Sequence, residues 1–119
     1  MPKILVVDDA MFMRNKTSRL LTEDGYQVVQ ASNGAEAVKM HTEEKPDVVL
    51  MDITMPVLDG IEALKQMREN DPDVKVIMVT ALGQKSMVLE ALKAGARDFI
   101  VKPFQPDRLL EAVKKQCLQ

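Results

Sequence analysis

Short apolar runs rich in β-branched residues recur along the chain, with polar and helix-forming segments between them. Their hydrophobicity is nearly continuous rather than alternating, which is typical of strands that are covered on both faces. The pattern predicts five strands, at 3–7, 27–31, 47–51, 75–80 and 97–101.

The segments between these runs carry apolar residues at helical spacing. Gly25 and Gly95 stand where two helices would end, and Asp59 with Glu62 resembles a capping box at the start of another. The residues with this spacing are Met13, Thr17, Leu20 and Leu21; Ala35, Ala37 and Val38; Ile61, Leu64 and Met67; Val88, Leu89, Ala91 and Leu92; and Leu109, Leu110 and Val113.

Strict alternation of strand and helix predicts one parallel sheet with right-handed crossovers and helices on both faces. A chain of 119 residues suits one domain with one core. We therefore expect a single-domain α/β protein over residues 1–119, with a doubly wound (βα)5 architecture.

The composition of the chain argues against several classes of function. The chain is 46% hydrophobic, 29% charged and carries a net charge of −2, so a basic stripe for nucleic acid or an anionic membrane is not expected. No apolar run approaches the roughly 18 residues of a membrane span, and we identify no export signal. The single cysteine, Cys117, suits a reducing compartment. We expect a cytoplasmic protein.

Acidic residues follow two of the predicted strands. Asp8 and Asp9 end the first apolar run, and Asp52 ends the third. The carboxyl ends of parallel strands meet at one edge of a sheet, where such folds bind ligands. Two carboxylates about 4 Å apart repel by roughly 4 kcal/mol at an effective dielectric of 20. Three of them need a cation, a proton or a lysine nearby, and a hard divalent metal is the natural ligand.

Each candidate residue also has an ordinary structural interpretation. Asp8 or Asp9 alone could cap the first helix. Thr80 could be a β-branched strand end, and Lys102 could extend its ammonium to solvent. All of them fall at predicted strand ends together with Asp52, which favours a site.

Four motifs stand at these strand ends, namely VVDD at 6–9, DITMPVLDG at 52–60, TA at 80–81 and KPF at 102–104. In this order they resemble the receiver domains of bacterial two-component response regulators, and especially the stand-alone chemotaxis regulators. The resemblance covers essentially the whole chain. It implies a flavodoxin-like fold with strand order 2-1-3-4-5.

The resemblance also implies the chemistry of the site. Asp52 would be the phosphoacceptor, receiving a phosphoryl group from a phosphohistidine on a histidine kinase. Asp9, Asp52 and the backbone carbonyl of Thr54 would bind Mg²⁺, with Mn²⁺ as a substitute, and Asp8 would act largely through water on the metal. Intrinsic phosphotransfer and autodephosphorylation at Asp52 are expected, without turnover of a separate substrate.

Further residues carry the implied switch. Lys102 would pair with one phosphoryl oxygen, and the Thr80 hydroxyl would bond another. Inward movement of Thr80 would open space for Phe99, and the Lys102-Pro103 bond would be cis. The resemblance places Phe99 at the partner surface. The fourth helix is more apolar than one buried face requires, which favours a docking patch at Met87 and Val88 over ordinary packing, and Phe104 is the last residue expected at this surface.

Two more expectations concern single positions. Thr54 and Leu82 match positions that flank the path of the hydrolytic water, and the apolar Leu82 cannot orient that water, so we expect a comparatively long-lived phosphoryl group. His41 lies in a polar stretch before Glu43, Glu44 and Lys45, and we expect a solvated surface residue.

The resulting prediction is a phosphorylation-activated switch, in chemotaxis because residues 8–14 and 104–106 resemble chemotaxis regulators. Its partners would be a histidine kinase and a flagellar motor switch protein or phosphatase, with the chain a monomer.

The alternatives are a phosphorelay intermediate that passes the phosphoryl group to a histidine phosphotransferase, and a phosphorylation-independent scaffold. A flavodoxin-like cofactor binder is disfavoured because Asp8 and Asp9 stand where a phosphate cradle needs glycine. An aspartate-nucleophile phosphohydrolase is disfavoured because the presumed nucleophile, Asp52, lies on the third strand.

Overall fold

Strands and helices alternate through the computed structural model, which describes residues 1–55, 57–81 and 84–118. The strands are β1 (Lys3–Val7), β2 (Gln27–Ala31), β3 (Val48–Asp52), β4 (Val76–Ala81) and β5 (Asp98–Lys102). The helices are α1 (Met11–Glu23), α2 (Gly34–Glu44), α3 (Gly60–Asn70), α4 (Lys85–Lys93) and α5 (Pro106–Cys117). The five predicted strands are confirmed, and three of them begin one residue later than expected.

The strands form one parallel sheet in the order β2-β1-β3-β4-β5. This is the order that the resemblance implies, so the expected doubly wound α/β fold is confirmed. In the register of β1 against β3, Val7 lies beside Met51. The residues that follow them therefore meet at the carboxyl edge of the two central strands.

Both faces of the sheet are covered, because successive side chains of a strand point to opposite sides. Ile4 and Val6 of β1 belong to one core cluster, and Leu5 and Val7 belong to the other. Helices α1 and α5 cover the first face, whereas α2, α3 and α4 cover the second. The helix residues in these clusters include Leu21 and Leu109 on the first face, and Ala37, Leu64 and Val88 on the second.

Local signals position the helix ends. Asp59 caps α3, since its Oδ1 accepts a hydrogen bond of 2.9 Å from the backbone N–H of Glu62. Gly25 and Gly95 adopt φ of 94° and 112° after α1 and α4, which is the left-handed region that favours glycine. The predicted cap at Asp59 and both predicted helix ends are confirmed.

The expectation for His41 is wrong. Its side chain lies on the inner face of α2 in line with Gly34 and Ala37, and only 7% of the residue is exposed. Of the polar residues that follow it, Thr42 and Glu43 are exposed, Glu44 is half-buried and Lys45 lies just beyond the helix. Helical spacing from Ala37, four residues earlier, determines its position more than the local composition does.

Within the described residues, none of the helices combines the length and apolar character that crossing a membrane requires.

Candidate functional site

The three predicted acids converge at the carboxyl edge of the sheet. Asp8 and Asp9 follow the last residue of β1, and Asp52 ends the neighbouring strand β3. One carboxylate oxygen from each of them lies within 4.8 Å of the others. Asp8 is largely buried, Asp52 is partly buried and Asp9 is exposed. The site is therefore an acidic cleft that opens to solvent on the Asp9 side.

Backbone contacts orient the first acid. The Oδ1 atom of Asp8 accepts a hydrogen bond of 2.9 Å from the N–H of Ala10, at the start of the first helix. Arg14 donates from Nη1 to the backbone carbonyl of Asp8 at 2.8 Å, and the N–H of Asp8 bonds the carbonyl of Ala31 at 3.2 Å. These bonds leave the second carboxylate oxygen of Asp8 directed at the cleft.

Lys102 supplies the positive charge. Its Nζ lies 3.0 Å from Oδ2 of Asp52 and 3.5 Å from Oδ2 of Asp8. Lys102 ends β5, next to β4, and its side chain crosses the sheet edge to reach the acids. Three carboxylates thus face one ammonium, and no second lysine or arginine forms an ion pair with them in the described part of the chain.

The acid and the ammonium respond differently to this environment. Burial raises the pKa of Asp52, and the charge of Asp8 raises it further, against the hydrogen bonds from Lys102 and Thr54. Burial lowers the pKa of Lys102, but the hydrogen bonds and charges of Asp52 and Asp8 outweigh it and raise the pKa overall. An ion pair alone would lower the pKa of its acid, so burial governs Asp52. The ammonium stays charged, while the carboxylate is left short of compensating charge.

Glycine allows close packing behind Asp52. A Cβ at Gly60 would contact the backbone carbonyl of Asp52, so only glycine fits here without displacing the end of β3 or the start of α3. The N–H of Gly60 also donates to the carbonyl of Ile53 at 2.8 Å. The first turn of α3 is thereby fixed directly against the end of β3.

Thr80 is the second-to-last residue of β4 and forms part of the cleft wall, with 1% of the residue exposed. Its hydroxyl donates to Oε1 of Gln84 at 2.7 Å, and Nε2 of Gln84 donates to Oγ1 of Thr54 at 3.0 Å. Sequence reasoning missed Gln84. The available signal was a polar side chain four residues after Thr80, immediately before α4.

The expected partner surface is only partly assembled. Phe99 is 36% exposed and lines a cavity of about 180 Å³ between β5 and α4. Met87 is half-buried and packs against the core, and Val88 is 8% exposed and belongs to the core, so Val88 offers little surface. The apolar surface of α4 is provided instead by Leu89 and Leu92, which are 52% and 39% exposed.

Phe104 lies elsewhere. It packs against the core cluster under α1 and α5 and lines a separate groove with Met13, Lys16 and Leu20 of α1. The chain passes from one face of the sheet toward the other after β5, which carries Phe104 away from Phe99. The Lys102-Pro103 bond between them is cis, as expected.

Two predicted positions are not described. Pro56 of the DITMPVLDG motif and Leu82, which we expected beside the path of water, lie outside the described residues. Thr54 is described and exposed. Its backbone N–H donates to Oδ1 of Asp52 at 3.3 Å.

Comparisons with known proteins agree with this geometry. Residues 4–114 match the family described as "Response regulator receiver domain". "Chemotaxis protein CheY" of Listeria monocytogenes is 56% identical over 116 residues, covering 97% of this chain and 98% of that protein. The protein of the same name from Bacillus subtilis is 54% identical, covering 95% of each chain.

A second type of relative is also similar. "Sporulation initiation phosphotransferase F" of Bacillus subtilis is 42% identical over 113 residues, covering 95% of this chain and 91% of that protein. Among solved structures, a response regulator receiver domain protein from Clostridium thermocellum superposes with a TM-score of 0.95 at 32% identity, covering 99% and 95% of the two chains. With the family match and the acidic cleft in agreement, the chain belongs to the response regulator receiver domain family of two-component systems.

Proposed function

We propose that this chain is a signalling switch that accepts a phosphoryl group on Asp52 from a phosphohistidine of a histidine kinase. The observation that carries the proposal is the position of Asp52, with an ammonium at 3.0 Å and two further carboxylates within 4.8 Å. Phosphoryl transfer depends mostly on positioning and on charge neutralisation, and this cleft offers both.

The chain's own residues perform the transfer. A carboxylate oxygen of Asp52 forms a bond to phosphorus while the bond from phosphorus to the histidine nitrogen breaks, and the electron pair leaves with the imidazole. Asp52 needs no separate base, because it is ionised at neutral pH when the site is charge-compensated. Lys102 pairs with one phosphoryl oxygen, and the Thr80 hydroxyl donates to another.

The donor set fits a divalent cation with a preference for oxygen. Ligands of one Mg²⁺ lie on an octahedron of about 2.1 Å radius, so neighbouring oxygens are roughly 3 Å apart and opposite ones roughly 4 Å apart. Each of the three acids offers one carboxylate oxygen, and these oxygens lie within 4.8 Å of one another, which fits residues that share one ion. Asp9, Asp52 and the Thr54 carbonyl would hold Mg²⁺ or Mn²⁺, with Asp8 contacting it through water. The ion would neutralise charge on the phosphoryl group.

Phosphorylation would change the surface beside α4. With Thr80 turned toward Asp52, the space it leaves can admit the Phe99 ring from the adjacent strand β5. Phenylalanine has no hydroxyl to donate, so the readout rests on shape. Similarity to chemotaxis proteins supports a flagellar motor switch protein as the partner and a phosphatase as the counterpart of the kinase. We place this chain in the cytoplasm as a monomeric receiver domain spanning residues 1–119.

A phosphorelay role is the second candidate. It is favoured by the 42% identity to a protein named a phosphotransferase. In that role the phosphoryl group on Asp52 would pass to a histidine phosphotransferase, and a shape change at α4 would not be needed.

The test is labelling with acetyl phosphate and Mg²⁺, followed by intact-mass measurement. We expect one phosphoryl group on the parent protein and on Asp59→Asn, a matched variant that keeps its helix cap, but none on Asp52→Asn. Labelling of Asp52→Asn at the parent level would refute the proposal. Pull-down with and without beryllofluoride, a phosphoryl mimic, then distinguishes the two roles. Capture of a motor switch protein only with the mimic supports chemotaxis, and onward transfer to a histidine phosphotransferase supports the relay.

A further inference from the structure

The Gln84 side chain joins three separate parts of the site. Its Oε1 accepts two hydrogen bonds, from the Thr80 hydroxyl at 2.7 Å and from the backbone N–H of Ala81 at 2.8 Å. Its Nε2 donates to the hydroxyl of Thr54 at 3.0 Å, in the loop that follows β3. It also lies 3.6 Å from the sulfur of Met87 on α4. One side chain therefore connects the ends of two strands with the start of a helix.

These bonds are unusual for the position of Gln84. It is the residue before α4, where a side chain normally accepts bonds from the free N–H groups of the first helical turn. The Gln84 side chain makes no such bond to its own helix. It is turned back toward β4 instead, where its oxygen is occupied by Thr80 and Ala81.

The Thr80 hydroxyl cannot serve Gln84 and the phosphoryl group together. A hydroxyl carries a single proton and so donates one strong hydrogen bond at a time. Thr80 is almost fully buried, so in this structure its donor is directed to Gln84, with the Ala81 carbonyl as a weaker acceptor at 3.3 Å. Binding of the hydroxyl to a phosphoryl oxygen on Asp52 requires that the bond to Gln84 break.

We propose that Gln84 is a positioning residue that holds the Thr80 hydroxyl away from Asp52 until phosphorylation, an arrangement we call the Gln84 latch. The latch rests on the proposed function of Asp52 and specifies how that site is regulated. It favours the unphosphorylated state by the free energy of its hydrogen bonds. Gln84 is also the residue directly before α4. Release of its side chain therefore alters the start of this helix, whose exposed face carries Leu89 and Leu92.

The latch predicts that its removal strengthens binding of a phosphoryl mimic. Gln84→Met keeps the length of the side chain but has no oxygen to accept from Thr80. Because a neutral hydrogen bond is worth roughly 0.5 to 1.5 kcal/mol net, we expect beryllofluoride with Mg²⁺ to bind about twofold to tenfold more tightly. The dissociation constant is measured by titration followed by NMR. Gln27→Met, an exposed glutamine at the start of β2 whose side chain forms no hydrogen bond among the described residues, should match the parent.

A second background isolates the Thr80 hydroxyl. In Thr80→Val the donor is absent, so Gln84→Met added to it should leave the affinity for beryllofluoride unchanged within about 1.5-fold, since only interacting pairs show coupling. Gln84→Glu keeps the acceptor and gives it a negative charge, so this variant should bind the mimic more weakly than the parent does. The same substitution made in the Thr80→Val background should weaken binding by a smaller factor. This variant decides the matter if Gln84→Met fails to fold.

The outcomes separate the latch from the proposed function. If the parent neither binds beryllofluoride nor labels at Asp52, the proposed function fails. If the parent does both but Gln84→Met binds the mimic equally or less tightly, the latch is wrong. A gain that persists in Thr80→Val also overturns it, because the effect would not pass through the hydroxyl.

Discussion

The amino and carboxyl edges of the sheet, where the parallel strands begin and end, differ in how their charges are compensated. At the amino edge, the Lys3 ammonium pairs with Glu44 at 3.3 Å, and the backbone N–H of Lys3 bonds Asp47 at 2.7 Å. At the carboxyl edge, three carboxylates cluster, and among the described residues one ammonium, that of Lys102, pairs with two of them, Asp8 and Asp52. The amino edge is compensated by its own residues, whereas the carboxyl edge carries more negative than positive charge until a cation binds.

This difference separates stability from function. The charged residues at the amino edge pair with one another and need no ligand. Repulsion at the carboxyl edge costs stability in the free protein, as is common where a site is built to bind a charged partner. Paired changes, one at each edge, therefore test the comparison.

The largest effect is expected from removing the ammonium. Lys102→Met should slow labelling of Asp52 by acetyl phosphate about 100- to 1000-fold, as loss of a group that stabilises developing charge usually does. Lys3→Met removes a lysine of the amino edge and should leave the rate unchanged. Labelling rates at fixed Mg²⁺ check this, and equal slowing of both variants would erase the distinction between the edges.

Next in size is the response to Mg²⁺. At a concentration about 100 times the dissociation constant, Mg²⁺ should stabilise the parent by roughly 2.7 kcal/mol. Asp9→Asn should lose this response and be more stable than the parent without Mg²⁺, because one source of repulsion is gone. Asp47→Asn should keep the response. Urea unfolding with and without Mg²⁺ measures both, and equal Mg²⁺ stabilisation of Asp9→Asn and the parent would contradict the assignment.

A smaller effect is expected in the pH dependence of the metal-free protein. Folding raises the pKa of Asp52, chiefly through burial, so the folded state holds this proton more tightly than the unfolded state does. The free energy of unfolding should fall as pH rises from the unfolded value, 3.8, through the raised folded pKa. Asp52→Asn should lack this contribution. Urea unfolding across that range compares the two, and a parent that gains stability relative to Asp52→Asn as pH rises would reverse the sign.

The smallest effect is expected at His41, near the amino edge. Its Nδ1 is buried without a hydrogen-bond partner among the described residues, and its Nε2 lies 3.6 Å from Oδ2 of Asp71. Replacing a buried polar group that is poorly bonded by an apolar one of similar size is close to neutral. His41→Leu should change the free energy of unfolding by less than about 1 kcal/mol and leave Asp52 labelling intact. Unfolding of the variant would refute this.

The fold was predictable because burial on both faces leaves a direct trace, the continuous apolar run. The placement of Asp8, Asp9 and Asp52 at strand ends followed from the sequence, whereas the strand order that makes β1 and β3 neighbours came from the resemblance. His41 was misjudged because its polar neighbours concealed its helical spacing from Ala37.

Positions set by loops could not be predicted. Phe104 lies against α1 because of the path after β5, and that path leaves no periodic signal in the sequence. Gln84 bonds Thr80 from a backbone position at φ −99° and ψ 38°, outside the helical conformation of the α4 residues that follow it. Side-chain hydrogen bonds of this kind depend on backbone geometry that composition does not specify.

The glycine contact behind Asp52 has a consequence for how the cleft receives an ion. With the first turn of α3 packed against the main chain of residue 52, and β1 and β4 bonded on either side, the acids cannot relieve their repulsion by backing away. The cleft is preorganised, so little reorganisation energy is subtracted from the affinity for a cation. A methyl group at position 60 would press on the backbone carbonyl of Asp52 and weaken cation binding without contacting any of the carboxylate oxygens.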